Sequence, residues 1–433
     1  MSVSTCFALL GAYAVLIAGF GFRRYGTLLN PLTIFATLSI GVFTLMSGVV
    51  TWVLVSDFLS EDAFRNTALL SAVYLTGVTV PYLFRGPVPA MVFGKLLHLL
   101  QLDHPAIARR FDPVKLILLL CGAFVALSLL AVVGGGGTLW VTSPRYAYLT
   151  HRAGAGQFWL LAQWFLMCGW IYFLWSWRPK ISGVIVGVFV FSVFAYFTGS
   201  KSAILTLAVI AVVYYNFTVR HIRMVPLIGL GACGIVGILG LLVLQGSYAD
   251  FVLALAYFDY FGTTAHFIHR FDEFGLYYGR AWLSSFWFYV PRGFYADKPY
   301  EYGTTLIHAV LYPGAAEAGH TPGFLNWTMA YLDFGALGVF FSGVVVGFWP
   351  RMAYEYYLRH RDQFFAFMFM IQLAIWPVLT FAPFSTVVVW SVVLSLFFRL
   401  VWSRTRSPFT GDPLLPPPSA SASSASGPQP AIH

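Results

Sequence analysis

The chain is built from apolar runs of about 20 residues, and this feature limits the folds that it can adopt. A run of that length crosses the hydrocarbon core of a bilayer as one helix. Hydrophobic residues make up 59% of the 433 residues, and charged residues make up 9%. A water-soluble domain of this size could not cover so much apolar surface. The sequence therefore predicts an all-α, polytopic integral membrane protein.

About eleven of these runs are predicted to be transmembrane helices. Their approximate ranges are 3–22, 31–55, 66–84, 114–133, 157–177, 181–199, 202–219, 225–245, 326–349, 364–383 and 386–402. No basic segment precedes the first run and no small-residue cleavage site follows it, so it is expected to be a retained span.

The orientation follows from the basic residues, which are concentrated in every second connection. Arg23 and Arg24 lie in the first of these connections, and Arg178 and Lys180 lie in a later one. Connections rich in Lys and Arg face the cytoplasm. The alternation predicts an N-terminus outside and a C-terminus inside. It also predicts one long extracytoplasmic loop before the last three helices.

The predicted organisation is a membrane domain over 1–405 and a tail over 406–433. Within the membrane domain, 85–113 is a cytoplasmic connection with an interfacial helix near 91–102, and 246–325 is the extracytoplasmic loop. The tail consists mainly of Pro, Ser and Ala, which cannot build a core, and it is predicted to be disordered.

Charge, cysteines and motifs exclude several classes of function. The basic residues that give the net charge of +9 are scattered between apolar runs and are not gathered in one polar domain. They therefore indicate membrane topology, and we expect no nucleic-acid partner. The four cysteines fall inside apolar runs, which predicts neither disulfides nor a cysteine metal site. His266 and His269 lack a third ligand at a recognisable interval, and no nucleotide-binding motif occurs. We therefore expect no metal and no cofactor.

Three segments on the predicted outer side carry cations that the topology does not require. The first follows the glycines Gly134–Gly137 and contains Arg145 and Arg152. Guanidinium groups form paired hydrogen bonds with phosphate oxygens. The alternative is that both arginines are simply solvated in a loop.

The second segment is Gly199-Ser200-Lys201-Ser202, between two predicted spans. A helix that begins here directs free backbone N–H groups and its positive dipole end outward, beside Lys201 and the hydroxyls of Ser200 and Ser202. This arrangement predicts an anion site. The alternative is a tight turn whose lysine reaches the lipid headgroups.

The third segment is the long loop, in which cations and carboxylates alternate with aromatic residues. It includes Arg270, Arg280 and the run Pro291–Pro299, which contains Arg292 and Lys298. Aromatic rings stack on the apolar faces of sugars, and carboxylates accept hydrogen bonds from sugar hydroxyls. The same aromatic residues are also typical of a membrane-interface belt.

In organisation the chain resembles the oligosaccharide repeat unit polymerases, the O-antigen polymerase or Wzy family of bacterial envelopes. Three short motifs carry the resemblance: Gly199–Ser202, Pro291-Arg292 followed by Lys298-Pro299, and Asp333-Phe334-Gly335-Ala336-Leu337-Gly338. Their order along residues 1–405 is the order found in that family.

The resemblance implies a bacterial inner-membrane glycosyltransferase that needs no metal. Its substrates would be undecaprenyl-pyrophosphate-linked oligosaccharides of an O-antigen, capsule or exopolysaccharide, and a flippase and a chain-length regulator would be partner proteins. The cations expected to bind pyrophosphate are Arg145, Arg152, Lys201, Arg292 and Lys298, with Ser200 and Ser202, and with Arg270 and Arg280 in reserve.

The attacking hydroxyl needs a general base, and several side chains of the long loop are candidates. His320 is the first choice because it lies just before a predicted span, near Gly335 and Gly338. The other candidates are Glu317, Glu273, His266 and His308.

Four other functions are compatible with the sequence. The first is a lipid-linked oligosaccharide transporter or flippase, and the second is an O-antigen ligase-like enzyme. The third is a metal-dependent polyprenyl-phosphate-sugar glycosyltransferase, for which Asp57, Glu61 and Asp62 provide acidic residues in the first outer loop. The fourth is a structural membrane protein whose charges only determine its topology.

Overall fold

A computed structural model describes residues 2–55, 59–84, 86, 88–100, 102, 111–151, 155–220, 222–244, 255, 259–290, 295, 297–314, 323–361, 363–374 and 392. All regular elements within these residues are helical, and no strand occurs among them.

The helices are numbered in chain order. The first eight are α1 (Val3–Tyr25), α2 (the continuous run of Pro31–Ile34, a π-helical Phe35–Met46 and Ser47–Val55), α3 (Glu61–Leu83), α4 (Val88–Leu99), α5 (Pro113–Val133), α6 (Leu139–Thr142), α7 (Pro144–His151) and α8 (Gly156–Trp177). The next eight are α9 (Ile181–Tyr196), α10 (Lys201–Tyr214, continued by a π-helical Tyr215–Val219), α11 (Met224–Leu244), α12 (Tyr260–His269), α13 (Arg280–Ser284), α14 (Thr305–Leu311), α15 (Thr328–Arg359) and α16 (Phe364–Ala374).

Five helices are long and apolar enough to cross a membrane: Val3–Tyr25, Pro31–Val53, Pro113–Val133, Gly156–Trp177 and Thr328–Arg359. They coincide with the predicted spans 3–22, 31–55, 114–133, 157–177 and 326–349. The chain is therefore an all-α, multi-pass membrane protein.

The remaining predicted spans are covered in part. Helices α9, α10, α11 and α16 are apolar and overlap 181–199, 202–219, 225–245 and 364–383. Helix α3 covers the predicted span 66–84 up to Leu83, but three of its first five residues are charged and it is not among the five apolar spans. The predicted span 386–402 and the tail 406–433 lie outside the described residues, apart from residue 392. The total of about eleven spans and the orientation stay predictions.

Local sequence explains where several helices begin and end. The Ser2 hydroxyl accepts a hydrogen bond from the Thr5 N–H at 3.2 Å, and it caps the N-terminus of α1. Gly26 ends that helix in the left-handed conformation (φ 70°), which glycine adopts without steric cost. The Asn30 side chain caps α2, whose first residue is proline.

Helices α3 and α15 cross in direct backbone contact because three glycines lie at the crossing. A Cβ atom on Gly343 would lie 3.0 Å from the Val78 nitrogen and 3.1 Å from Gly77 Cα. A Cβ atom on Gly347 would lie 2.9 Å from the Val78 carbonyl carbon. Small residues at such a crossing allow close approach of membrane helices. This pair of helices forms the centre of the bundle.

Two arginines cap the C-terminal end of α3. Arg351 of α15 donates to the Pro81 carbonyl, and Arg24 of α1 donates to the Tyr82 carbonyl. The Glu355 carboxylate accepts from Arg351 Nε at 2.8 Å and lies 3.4 Å from Arg24 Nη2. One carboxylate balances only one of the two arginines. The carbonyls at the C-terminus of α3 carry partial negative charge, and they help to balance the other. The cluster joins α1, α3 and α15.

Helix α4, over Val88–Leu99, lies where the interfacial helix near 91–102 is predicted, and its position at a membrane interface stays a prediction. Its Phe93 ring lies 5.6 Å from the Tyr356 ring of α15 and 5.5 Å from the Phe369 ring of α16. Phe93 and Leu97 are buried, whereas Met91 and Leu99 are exposed. The helix therefore packs by one face against the end of α15.

Candidate functional site

Arg145 contacts the Gly199–Ser202 turn, so the structure brings together two of the three cation-bearing segments. Arg145 lies in α7, and its Nη1 atom is 3.5 Å from the Gly199 carbonyl oxygen. Its guanidinium carbon is 5.1 Å from the centroid of the Tyr148 ring. This cation–π contact holds the guanidinium beside the turn without using its charge on a carboxylate.

The conformation of the turn depends on Gly199. This residue has φ 66°, and a Cβ atom on it would lie 2.6 Å from Tyr148 Cβ. A neighbouring hydrogen bond from Trp159 Nε1 to the Thr198 carbonyl, at 2.9 Å, attaches the turn to α8. Glycine is required here for both its backbone conformation and its lack of a side chain.

Helix α10 begins at this turn, with Ser200 as its N-cap residue and Lys201 and Ser202 as its first two residues. Ser200 is buried, and its hydroxyl does not cap the helix. The N-terminal backbone N–H groups of a helix of 14 residues favour an anion, and Arg145 adds a positive charge beside them. The roles assigned to the side chains of Lys201 and Ser202 stay predictions.

The glycine run before α7 packs against the C-terminal end of that helix. Gly135, Gly136 and Gly137 all have positive φ, and a Cβ atom on Gly136 would lie 3.0 Å from the His151 ring. Trp140 Nε1 donates to the Gly135 carbonyl at 2.9 Å. The run therefore folds tightly over the end of α7. Arg152 follows immediately in sequence but lies outside the described residues.

In the long loop, helix α12 is attached to the bundle at its first residues. The Asp259 carboxylate accepts a hydrogen bond from the Thr51 hydroxyl at 2.5 Å and one from the Gly262 N–H at 2.8 Å. The Phe261 N–H donates to the Ser47 hydroxyl at 3.0 Å. Burial raises the pKa of Asp259 above its usual value, and the hydrogen bonds from Thr51 and Gly262 offset only part of this rise. Helix α12 is thereby fixed against α2.

Two histidine rings of the loop lie beside the Tyr312 ring. The His266 ring of α12 lies 6.0 Å from the Tyr312 ring, and the His308 ring of α14 lies 6.3 Å from it. His308 is buried and stacks on Phe324 at 5.1 Å. His266 is half-buried, and desolvation together with Arg270 lowers its pKa. A neutral imidazole of this kind can accept a proton at neutral pH.

Of the five predicted base candidates, the structure therefore places His266 and His308 together. Glu273 is paired with Arg270, whose Nε and Nη2 atoms lie 2.6 and 2.5 Å from its two carboxylate oxygens. The Arg270 hydrogen bond lowers the pKa of Glu273, so this carboxylate is a poorer base. His320 and Glu317 lie outside the described residues, and their roles stay predictions.

The remaining predicted cations differ in their surroundings. Arg280 is exposed at the first position of α13. Lys298 is 9% exposed, and its Nζ atom donates to the Val290 carbonyl at 2.9 Å and lies 4.7 Å from the Tyr302 ring centroid. These contacts hold Lys298 within its own loop. Arg292 itself lies outside the described residues.

The Asp-Phe-Gly motif has a structural role that the sequence did not indicate. Asp333 is 1% exposed, and its two carboxylate oxygens accept hydrogen bonds from the N–H groups of Ala281 and Trp282 at 2.9 and 2.8 Å. Gly335 has φ 62° and ψ −152°, a conformation open essentially only to glycine, and it kinks α15. Asp333 thus attaches the start of α13 to the N-terminal part of α15.

The described residues hold no group of three or more His, Cys, Asp or Glu side chains that could bind a metal ion. Of the acidic residues assigned to the predicted first outer loop, Glu61 and Asp62 lie in the first turn of α3, where Asp62 is paired with Arg65, and Asp57 lies outside the described residues. No protein family, curated protein or solved structure matches the chain.

Proposed function

We propose that this protein polymerises oligosaccharide repeat units carried on undecaprenyl pyrophosphate, at the outer face of a bacterial inner membrane. The observation that carries the proposal is the position of Arg145 against the turn at which α10 begins. A guanidinium group, a helix N-terminus and a glycine turn form one region suited to a phosphate group.

The reaction would be a substitution at the anomeric carbon of the growing glycan. A hydroxyl oxygen of the incoming lipid-linked repeat unit forms the new bond to this carbon. The bond from the same carbon to the pyrophosphate oxygen breaks, and undecaprenyl pyrophosphate leaves with the electron pair. The hydroxyl proton passes to a base. Negative charge grows on the leaving group, so cations beside it stabilise the transition state more than the ground state.

Arg145 and the first turn of α10 would hold the leaving pyrophosphate. Arg152, Lys201 and Arg292 remain predicted contributors. Arg270 would have to give up its pairing with Glu273 before it could bind phosphate, which makes it a weaker candidate.

His266 would serve as the general base among the described residues. Its lowered pKa keeps the imidazole neutral at neutral pH, and its half-buried position leaves part of the ring accessible. The neighbouring His308 is buried against Phe324 and is less able to reach a substrate hydroxyl. His320 stays the first candidate from the sequence, because it lies just before a predicted span.

A transporter of lipid-linked oligosaccharide is the main competing function. Such a protein would be expected to carry charged residues midway along its helices, where a substrate crosses. The buried pair Arg351 and Glu355 lies instead near the end of α15 and is bound to the end of α3. This position is better explained by helix capping than by transport.

Deletion of the gene in its host, followed by separation of the surface glycan by size, tests the proposal. Polymerase activity predicts that the ladder collapses to one repeat unit. An intact ladder would rule out a polymerase. Loss of all exported lipid-linked sugar would indicate a transporter, and long polymer left on its lipid carrier would indicate a ligase.

Complementation with variants tests the Arg145 region in particular. Arg145→Ala is expected to reproduce the collapsed ladder at normal protein level. Lys180→Ala is the matched control, because Lys180 is an exposed cation at the opposite end of α9 and should leave the ladder unchanged. A normal ladder from Arg145→Ala would remove Arg145 from the pyrophosphate site.

A further inference from the structure

The segment 276–286 exposes five large apolar side chains. The exposed fractions are 40% for Leu276, 77% for Tyr278, 48% for Trp282, 60% for Leu283 and 48% for Phe286. Scattered exposed apolar residues are ordinary on a protein surface, but a contiguous group of this kind marks an interaction site.

The segment is held rigidly, so the exposure is a property of the fold. The N–H groups of Tyr277 and Tyr278 donate to the carbonyls of Leu332 and Asp333 at 3.0 and 2.9 Å. The Asp333 carboxylate caps α13 through Ala281 and Trp282, as described above. Ala281 is fully buried beneath the segment. Its apolar side chains therefore cannot turn inward without breaking these bonds.

The exposed surface continues onto a membrane-spanning helix. Phe334, Leu337 and Phe341 of α15 are exposed by 52%, 71% and 62%. A Cβ atom on Gly279 would lie 3.2 Å from Phe334 Cζ, and one on Gly335 would lie 3.8 Å from Leu276 Cδ2. Because α15 is one of the five helices long and apolar enough to cross a membrane, we expect these side chains to face lipid, and the segment extends the same surface.

We propose that residues 276–286 form a membrane wedge, a segment that inserts into the lipid leaflet at the N-terminal end of α15. Tyr, Trp and Leu side chains of this kind occupy the boundary between headgroups and acyl chains. Arg280 is exposed within the wedge, and its long side chain reaches the headgroup phosphates while its methylene groups stay in the apolar layer. The wedge is independent of the polymerase proposal.

Site-directed fluorescence in proteoliposomes tests the insertion. In the full chain, the exposed Cys121 and Cys233 are replaced by alanine, and bimane is attached at Leu283→Cys. Bimane at Glu301→Cys, an exposed position in the same loop, is the matched control. Lipids with a nitroxide on the acyl chain report contact with the leaflet, and iodide reports contact with water.

The wedge predicts at least twofold stronger quenching by acyl-chain nitroxide at position 283 than at position 301, with the reverse order for iodide. A third label, at Arg280→Cys, should respond more strongly to a nitroxide on the headgroup than to one on the acyl chain. Quenching of the Leu283 label by iodide alone, or by neither agent, would overturn the proposal. A monodisperse elution profile of each labelled protein verifies that it is folded.

Discussion

The replacement Asp333→Asn tests the role assigned to the Asp-Phe-Gly motif. The carboxylate is buried and accepts two backbone hydrogen bonds, at 2.9 and 2.8 Å, from Ala281 and Trp282. An asparagine side chain keeps one acceptor and turns an N–H group toward the second backbone N–H. A hydrogen bond to a charged group contributes about 1.5–3 kcal/mol, and an unsatisfied buried donor adds a further penalty. The expected loss is about 2–4 kcal/mol in the free energy of unfolding.

Thermal unfolding of the purified protein in detergent, followed by tryptophan fluorescence, measures this loss. At about 2 °C per kcal/mol for a large chain, the midpoint should fall by about 4–8 °C. Limited proteolysis should also find faster cleavage within 276–286, because the attachment to α15 is weakened. Asp272→Asn is the matched control, since Asp272 is exposed, and its midpoint should stay within about 1 °C of the parent value. Equal midpoints for the two variants would refute the structural role of Asp333.

Four further predictions follow from packing, charge and protonation. Gly343→Ala should destabilise the bundle by about 1–3 kcal/mol in thermal unfolding, because its Cβ atom meets backbone atoms of α3, whereas Gly19→Ala, with open space around it, should be neutral. Gly199→Ala combines an unfavourable φ with a clash and should abolish the polymer ladder and lower the unfolding midpoint. Glu355→Gln should lower the free energy of unfolding by about 3 kcal/mol, because it leaves the buried Arg351 and the half-buried Arg24 without their carboxylate, and an unchanged midpoint would contradict the role of this cluster. The pKa of His266 lies below its usual 6.5 in the folded protein, so its contribution to the free energy of unfolding is present above about pH 6.5 and is lost as the pH falls toward the folded pKa. His266→Gln should therefore make the unfolding midpoint depend less on pH below about pH 6.5.

The transmembrane helices were the part of the fold that the sequence predicted best. Partition into lipid depends on the local composition of about 20 residues, so runs such as 3–22 and 114–133 reveal helices without any knowledge of the packing. Their ends agree with Val3–Tyr25 and Pro113–Val133 to within a few residues. The number of spans and their orientation depend partly on residues outside the described ranges, so both stay predictions.

The contacts of the site were less predictable, because they join residues far apart in sequence. Arg145 and Gly199 were each singled out from local patterns, but their contact depends on how α7 lies against the start of α10. Asp333 caps α13 through Ala281 and Trp282, which lie 52 and 51 residues before it in the sequence. A signal was present, since Asp333 is an acidic residue near the start of an apolar run, where it needs a buried partner. The spacing of four residues between Arg351 and Glu355 is a similar signal, because residues at this spacing lie on the same face of a helix.

Reconstitution with a purified lipid-linked repeat unit from the host tests the central claim most directly. The protein in proteoliposomes, with a chelator and no added divalent cation, should lengthen the glycan and release one undecaprenyl pyrophosphate for each new linkage. Arg145→Ala should slow this release by about 10²-fold or more, as expected when a charge-stabilising group is removed from a transition state. Absence of any lengthening by the parent protein, or equal rates for Arg145→Ala, would contradict the account.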